Sequence, residues 1–192
     1  MNASPMKRAL GALVVLSFLG ASASAAEPPK KPAKVARGEY LVRAMGCNDC
    51  HTPWKMGKDG PEPDMTRMLS GHPQAMAMPP PPKLPEGPWA LVAAATMTAW
   101  SGPWGVSFTS NLTPDPETGI GRWTEQNFVD SIRNGKVMGK GRPLLPPMPW
   151  PMYRNLNDDD LKAIFAYLKS IPPLQNKVPE PLAPEDLQAK AR

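Results

Sequence analysis

The 192-residue sequence predicts a mainly α fold of three to four helices, with a long proline-rich loop inserted between the first helix and the second. Three observations carry this prediction. Apolar residues recur at helical spacing in three separate stretches, each bounded by start or stop signals. Proline is abundant, 27 residues in all, and nine of them fall between Pro61 and Pro88, where neither a long helix nor a central strand is tolerated. Finally, the only two cysteines lie in one pentapeptide, Cys47-Asn48-Asp49-Cys50-His51.

That pentapeptide organises the rest. Two cysteines three apart, followed directly by histidine, form a c-type haem attachment site. At this spacing both thiols lie on one side of a helical turn and can add to the two vinyl groups of one haem, while His51 can present an imidazole nitrogen to iron. A dithiol redox pair would need a βαβ setting, which the pattern lacks. A structural zinc site would need four ligands, and only Cys47, Cys50, His51 and His72 are available.

The N-terminus has the layout of a secretory signal peptide over residues 1–26. Lys7 and Arg8 precede an apolar run, and Ala21 to Ala26 offers small-residue cleavage sites. The run falls short of the ~20 apolar residues that span a bilayer, although an uncleaved anchor is the other reading. Export agrees with the haem motif, so the expected location is the periplasm. Cleavage removes two basic residues and no acidic one. The 22 bases then become 20 against 17 acids, and the formal charge falls from +5 to +3. So small an excess, concentrated in Lys30, Lys31, Lys34 and Arg37, does not suit nucleic-acid binding. It suits a solvated linker at 27–35, or docking to an acidic protein.

The first helix is expected over 36–46, with Tyr40, Leu41, Ala44 and Met45 as its buried stripe. Gly38 within it suits a close crossing by another helix, or a fraying end. Residues 52–71 read as loop with a turn at Lys58 to Pro61, and Leu91 to Met97 is either a buried strand or a short helix. Val106 to Thr109 reads as a short extended piece. Thr124 caps a helix from Glu125 to Asn134, with Gly135 as its stop. Asn157 caps the last of the three, whose first turn carries Asp158, Asp159 and Asp160 where the helix dipole favours acids. Leu161, Ile164, Phe165 and Leu168 form its apolar stripe, and Pro172 ends it. A domain over 36–175 is therefore expected, followed by an extended tail at 176–192 with one short helix after Pro184. These faces are small for such a chain, and a haem would supply the apolar body they lack.

For the sixth iron ligand, Met148 is the leading candidate, because Pro146, Pro147 and Pro149 stiffen the loop that carries it. Met152 and Met138 lie in the same region among 12 methionines. His72 would make a bis-histidine site with a lower potential; its other reading is a loop brace bonded to backbone. Trp54 and Trp150 are candidates for the haem edge, and Arg142 for a propionate.

The stretches GEYLVRAMGCNDCH (Gly38–His51), PPMPW (Pro146–Trp150) and DDDLKAIFAYLKSIP (Asp158–Pro172) resemble a class I, monohaem cytochrome c domain. The resemblance implies a cytochrome c-like fold whose terminal helices cross near a glycine and an aromatic pair, here Gly38 and Tyr40 with Phe165 or Tyr167. It maps the histidine ligand to His51 and the methionine ligand to Met148. MLSGHP, NLTPDPETGIGRWT and RPLLPPMPW are further similar to haem domains in periplasmic cytochrome subunits of membrane-bound alcohol and sugar-acid dehydrogenases. Those subunits carry three haems and a C-terminal anchoring helix, whereas this chain has one CxxCH and no such helix.

The expectation is a periplasmic one-electron carrier, not an enzyme, with one covalent haem c and its iron. Its partners would be redox proteins: a dehydrogenase, an oxidase or another cytochrome. Nucleic acid is not expected, nor is a transmembrane helix in the mature chain, which leaves peripheral association with a membrane complex. The alternatives are a haem subunit of a periplasmic dehydrogenase complex and a peroxidase-type haem enzyme.

Overall fold

Where the sequence puts proline and glycine, the chain turns; where it puts apolar stripes, it builds a helical core. The computed structural model describes residues 31–84 and 87–190. The expected signal peptide and most of the expected linker lie outside the described residues. Among the described residues there are six α-helices and five short strands, so the architecture is mixed rather than mainly α.

Helix α1 (Ala33–Ala44) lies across α5 (Asp158–Ser170), and α3 (Glu125–Asn134) packs on α5 from another side. Leu41, Val42, Phe128, Ile132, Leu161, Ile164, Phe165 and Leu168 meet in one core. Burying such side chains is worth roughly 1.5–3 kcal/mol each, so the three helices hold one another in place. The buried face of α1 is Gly38, Leu41 and Val42. Tyr40, expected inside, is 61% exposed, and the Arg37 guanidinium lies over its ring. Ala44 is exposed too. The face turned because Gly38, with no side chain, points straight at α5.

Both later helices begin and end where local signals place them. At α3, the Thr124 hydroxyl accepts from the Asn127 N–H, and the Asn127 side chain bonds back to the Thr124 N–H. Gly135 closes it with φ of 65°. At α5, the Asn157 side chain accepts from the Asp160 N–H. The short helix expected after Pro184 forms as α6 (Pro184–Lys190).

The strands occupy the segment between α2 (Cys47–His51) and α3. Strands β1 (Trp54–Gly57) and β2 (Gly60–Pro63) form a hairpin around Lys58-Asp59. Strand β3 (Val92–Ala93) pairs with β4 (Ala99–Gly102), which pairs in turn with β5 (Gly105–Phe108). The stretch at 91–97 is therefore mostly turn, with a two-residue strand rather than a buried strand or a helix.

Residues after Ile171 do not leave the domain as an extended tail. Leu182 exchanges both backbone hydrogen bonds with Val106 of β5, at 2.8 and 2.9 Å. Val178, Leu182 and Leu187 cover a second small apolar cluster of Ala99, Val106 and Phe108. Asn176 is 5% exposed. Its amide donates to the carbonyls of Ser70 and His72, and its Oδ1 accepts from the Gln74 N–H.

Candidate functional site

Gly46, with φ of 67°, turns the chain sharply between α1 and α2, a conformation glycine adopts without penalty. The turn presents the five residues of α2 to a cavity of about 460 Å³. Cys47, Cys50 and His51 line one side of it, and Met148 lines it as well. The remaining wall is largely apolar, including Leu112, Ile120, Phe128, Ile132, Ile164 and Leu168. The three packed helices thus leave a space bounded by the cysteine–histidine turn and by the proline loop.

The chemistry of this donor set fits a covalently attached haem. His51 Nδ1 lies 2.8 Å from the Ser110 carbonyl oxygen. A carbonyl only accepts, so Nδ1 carries the proton, and Nε2 keeps its lone pair for a metal. Burial lowers the pKa of His51 first and foremost, with the Ser110 carbonyl opposing it, so the ring is neutral, as a ligand must be. Burial pushes the Cys47 thiol up to about 11 and raises Cys50 as well. Such thiols are the reverse of an activated redox pair, in which one pKa is depressed. Among the described residues, no group of three or more His, Cys, Asp or Glu is placed to hold a metal ion.

The structure separates the other candidates. Met152 is 72% exposed and Met138 39% exposed, and neither lines the cavity. His72 is fully buried but also lies off the cavity. Its Nδ1 pairs with the Thr98 hydroxyl at 2.9 Å and its Nε2 with the Met76 carbonyl at 3.3 Å. The ring packs against Phe108, centroid to centroid 4.9 Å. It is a brace between the loop and the β4–β5 hairpin. Burial lowers its pKa, and the Met76 carbonyl acts in the opposite sense.

Trp54 and Trp150 do not border the cavity. The Trp54 indole donates to the Asp49 carbonyl at 3.1 Å, and Trp150 fills the space that Gly135 leaves open. The tryptophan at the cavity is Trp123. Arg142 does reach the wall, with Nε 3.6 Å from Glu180 Oε2.

Three groups at the site escape any reading of side-chain type. Ser110 acts through its carbonyl, which every residue has. Ser107 lines the cavity from β5. Tyr153, in the short helix α4 (Trp150–Tyr153), lines the cavity and donates from its hydroxyl to the Met45 carbonyl at 2.7 Å. Only the position of Tyr153 five residues after Met148 hinted at it. Burial, with the neighbouring thiols and Asp49, pushes the Tyr153 hydroxyl up to about 12, so it remains a donor.

Helices packed round a cavity that receives a CxxCH turn define a c-type haem protein by class. The Cytochrome c family profile matches residues 35–172, and the chain belongs to the cytochrome c family, whose haem and iron are bound covalently. It is 30% identical to the cytochrome c subunit of a quinone alcohol dehydrogenase of Gluconobacter oxydans over 171 residues, 88% of this chain and 27% of the relative. It is 33% identical to the gluconate 2-dehydrogenase cytochrome c subunit of Pantoea cypripedii over 164 residues, 84% of this chain and 28% of that subunit. A shorter match, 44% identical over 77 residues, joins it to a nicotinate dehydrogenase of Pseudomonas putida; it covers 40% of this chain and 6% of that protein. The chain therefore spans little more than a quarter of either cytochrome subunit. Among the described residues, no helix is long and apolar enough to cross a membrane.

Proposed function

We propose that this chain is a periplasmic one-electron carrier with a single haem c, joined through Cys47 and Cys50 and ligated by His51 and Met148. One observation carries the reading: Met148 borders the same cavity as Cys47, Cys50 and His51, while Met138, Met152 and His72 stand outside it. When bound, the haem supplies an iron that gains and loses one electron. The chain's own residues do the rest. Cys47 and Cys50 fix position, Ser110 holds the His51 tautomer, and the apolar wall excludes water. A thioether is a weak ligand, and Pro146, Pro147 and Pro149 reduce the entropy lost in holding it still.

With both axial positions filled by the protein, no position is left for a peroxide, so the chain is a carrier and not an enzyme. The second reading is a haem subunit that receives electrons inside a dehydrogenase complex. The names of the relatives favour it, since each belongs to a dehydrogenase. Either way the partner is a redox protein that approaches the cavity rim.

The test is the absorption spectrum and midpoint potential of the purified holoprotein. Wild type is expected to show the weak far-red band of a methionine–iron(III) bond. Met148→Ala is expected to lose it and to shift the potential, whereas His72→Ala keeps it. A Met148→Ala protein with unaltered spectrum and potential overturns the ligand assignment. Peroxide turnover by wild type would favour the enzyme. Co-purification of the native protein with a dehydrogenase separates the subunit from the free shuttle.

A further inference from the structure

The loop that carries Met148 has an unusual shortage. Pro146, Pro147 and Pro149 have no N–H to donate, so from 146 to 149 only Met148 has a backbone donor. That donor goes to the Leu145 carbonyl at 3.2 Å. The loop cannot tie itself to its surroundings by backbone donors, and its carbonyls must take donors from elsewhere. Ser107 on β5 provides one. Its Oγ lies 2.6 Å from the Pro146 carbonyl oxygen, two residues before Met148.

The hydroxyl is aimed. It has a single proton, and the other carbonyl within reach, that of Trp100, is 3.5 Å away. The Trp104 indole N–H donates to the same Oγ at 3.3 Å, which takes up a lone pair and leaves the proton for Pro146. Ser107 is 7% exposed, so water competes weakly. Its strand is held on both edges: Trp100 of β4 faces it on one, and the two hydrogen bonds between Val106 and Leu182 secure the other. Three residues further on, the Ser110 carbonyl accepts from His51 Nδ1. One stretch, Ser107 to Ser110, therefore touches the His51 side and the Met148 side of the cavity.

We infer that Ser107 is a positioning residue for the sixth ligand, holding the Pro146–Pro149 loop over the haem from a strand that also sets the proximal histidine. This rests on the ligation of iron by Met148 proposed above. Breaking the bond leaves the Pro146 carbonyl without its donor, and the methionine then yields more readily to an added ligand. A net hydrogen bond of this kind corresponds to an effect of about three- to tenfold.

The experiment is a titration of the ferric holoprotein with imidazole, followed by the loss of the far-red methionine band. Wild type, Ser107→Ala, Ser107→Thr and Met148→Ala are compared. Imidazole is expected to bind Ser107→Ala about three- to tenfold more tightly than wild type, with Ser107→Thr restored toward wild type. Met148→Ala, which has no methionine to displace, sets the upper limit of affinity. A far-red band in wild type together with equal imidazole affinity in wild type and Ser107→Ala overturns the inference and leaves the ligand assignment standing. Absence of the band from wild type defeats the assignment itself and the inference with it. If Ser107→Ala yields no holoprotein, Ser107→Cys takes its place: its weaker donor should raise the affinity above that of Ser107→Thr, and no difference between the two overturns the inference.

Discussion

Gly38 lies so close to Ala163 that a Cβ at Gly38 would stand 1.9 Å from the Ala163 carbonyl oxygen and 2.8 Å from the Tyr167 Cβ. The crossing of α1 and α5 passes through this point. Leu41 and Val42 reach the core because the backbones touch here. Gly38→Ala is expected to force the helices apart and to destabilise the holoprotein by about 2–3 kcal/mol, read from denaturant unfolding. A variant within about 0.5 kcal/mol of wild type, the range of ordinary surface changes, would show that the crossing relaxes freely.

Asn176 ties the C-terminal segment to the loop that follows the haem turn. Its side chain serves the carbonyls of Ser70 and His72 and the N–H of Gln74, all in a setting poor in water. Asn176→Ala leaves these groups without partners and is expected to cost about 3 kcal/mol. Amide exchange should rise at Gln74 in particular, whose N–H loses its acceptor. Unchanged exchange there would mean that another group takes over.

Tyr153 joins the segment after Met148 to the end of α1, through its bond to the Met45 carbonyl. Tyr153→Phe keeps the ring and removes that bond. A loss of about 1 kcal/mol is expected, with haem still attached because Cys47 and Cys50 are untouched. The pyridine haemochrome spectrum and a denaturation curve check both halves, and a variant lacking covalent haem would contradict the first.

Arg37 on α1 grips Asp160 on α5 through two hydrogen bonds, 2.8 and 3.2 Å long. Chiefly through the Arg37 hydrogen bond, and also through Arg37's charge and Asn157, the Asp160 carboxyl is held below its usual range. A carboxylate with a depressed folded-state pKa stabilises the fold above its unfolded pKa, and that stability is lost as pH falls through the folded value. Wild type is therefore expected to exceed Asp160→Asn in stability near neutral pH, with the gap closing as pH drops below about 4. Unfolding curves measured across that range check it; a gap of constant size would show that the charge is not the cause.

Much of the helical frame was legible because its signals are local. Thr124, Gly135 and Asn157 act on backbone groups within four residues, so the ends of α3 and α5 follow from the sequence around them. The α1 stripe was not legible in the same way. Periodicity placed Tyr40 inside, but which face turns inward depends on where α5 can approach, and that is decided by Gly38 and Ala163. The strands were missed for a related reason. Each has two to four residues, rich in glycine and proline in β2 and β4–β5, and only pairing across the chain makes them strands. Trp54 and Trp150 were read by their nearness in sequence to the haem turn and to Met148, yet both point elsewhere.

The sequence by itself determined the cofactor class, through two cysteines and a histidine at a spacing that serves one haem. It also determined the helix ends and the stiffness of the proline loop, since covalent geometry and local hydrogen bonds act over a few residues. Only the tertiary structure decided which methionine stands at the cavity, that His72 is a brace, and that the Ser110 carbonyl and the Ser107 hydroxyl reach the two sides of the site. A backbone carbonyl carries no mark in the sequence, and the partners of Ser107 and Ser110 lie 39 and 59 residues away. Contacts over such separations exist only once packing has brought the segments together.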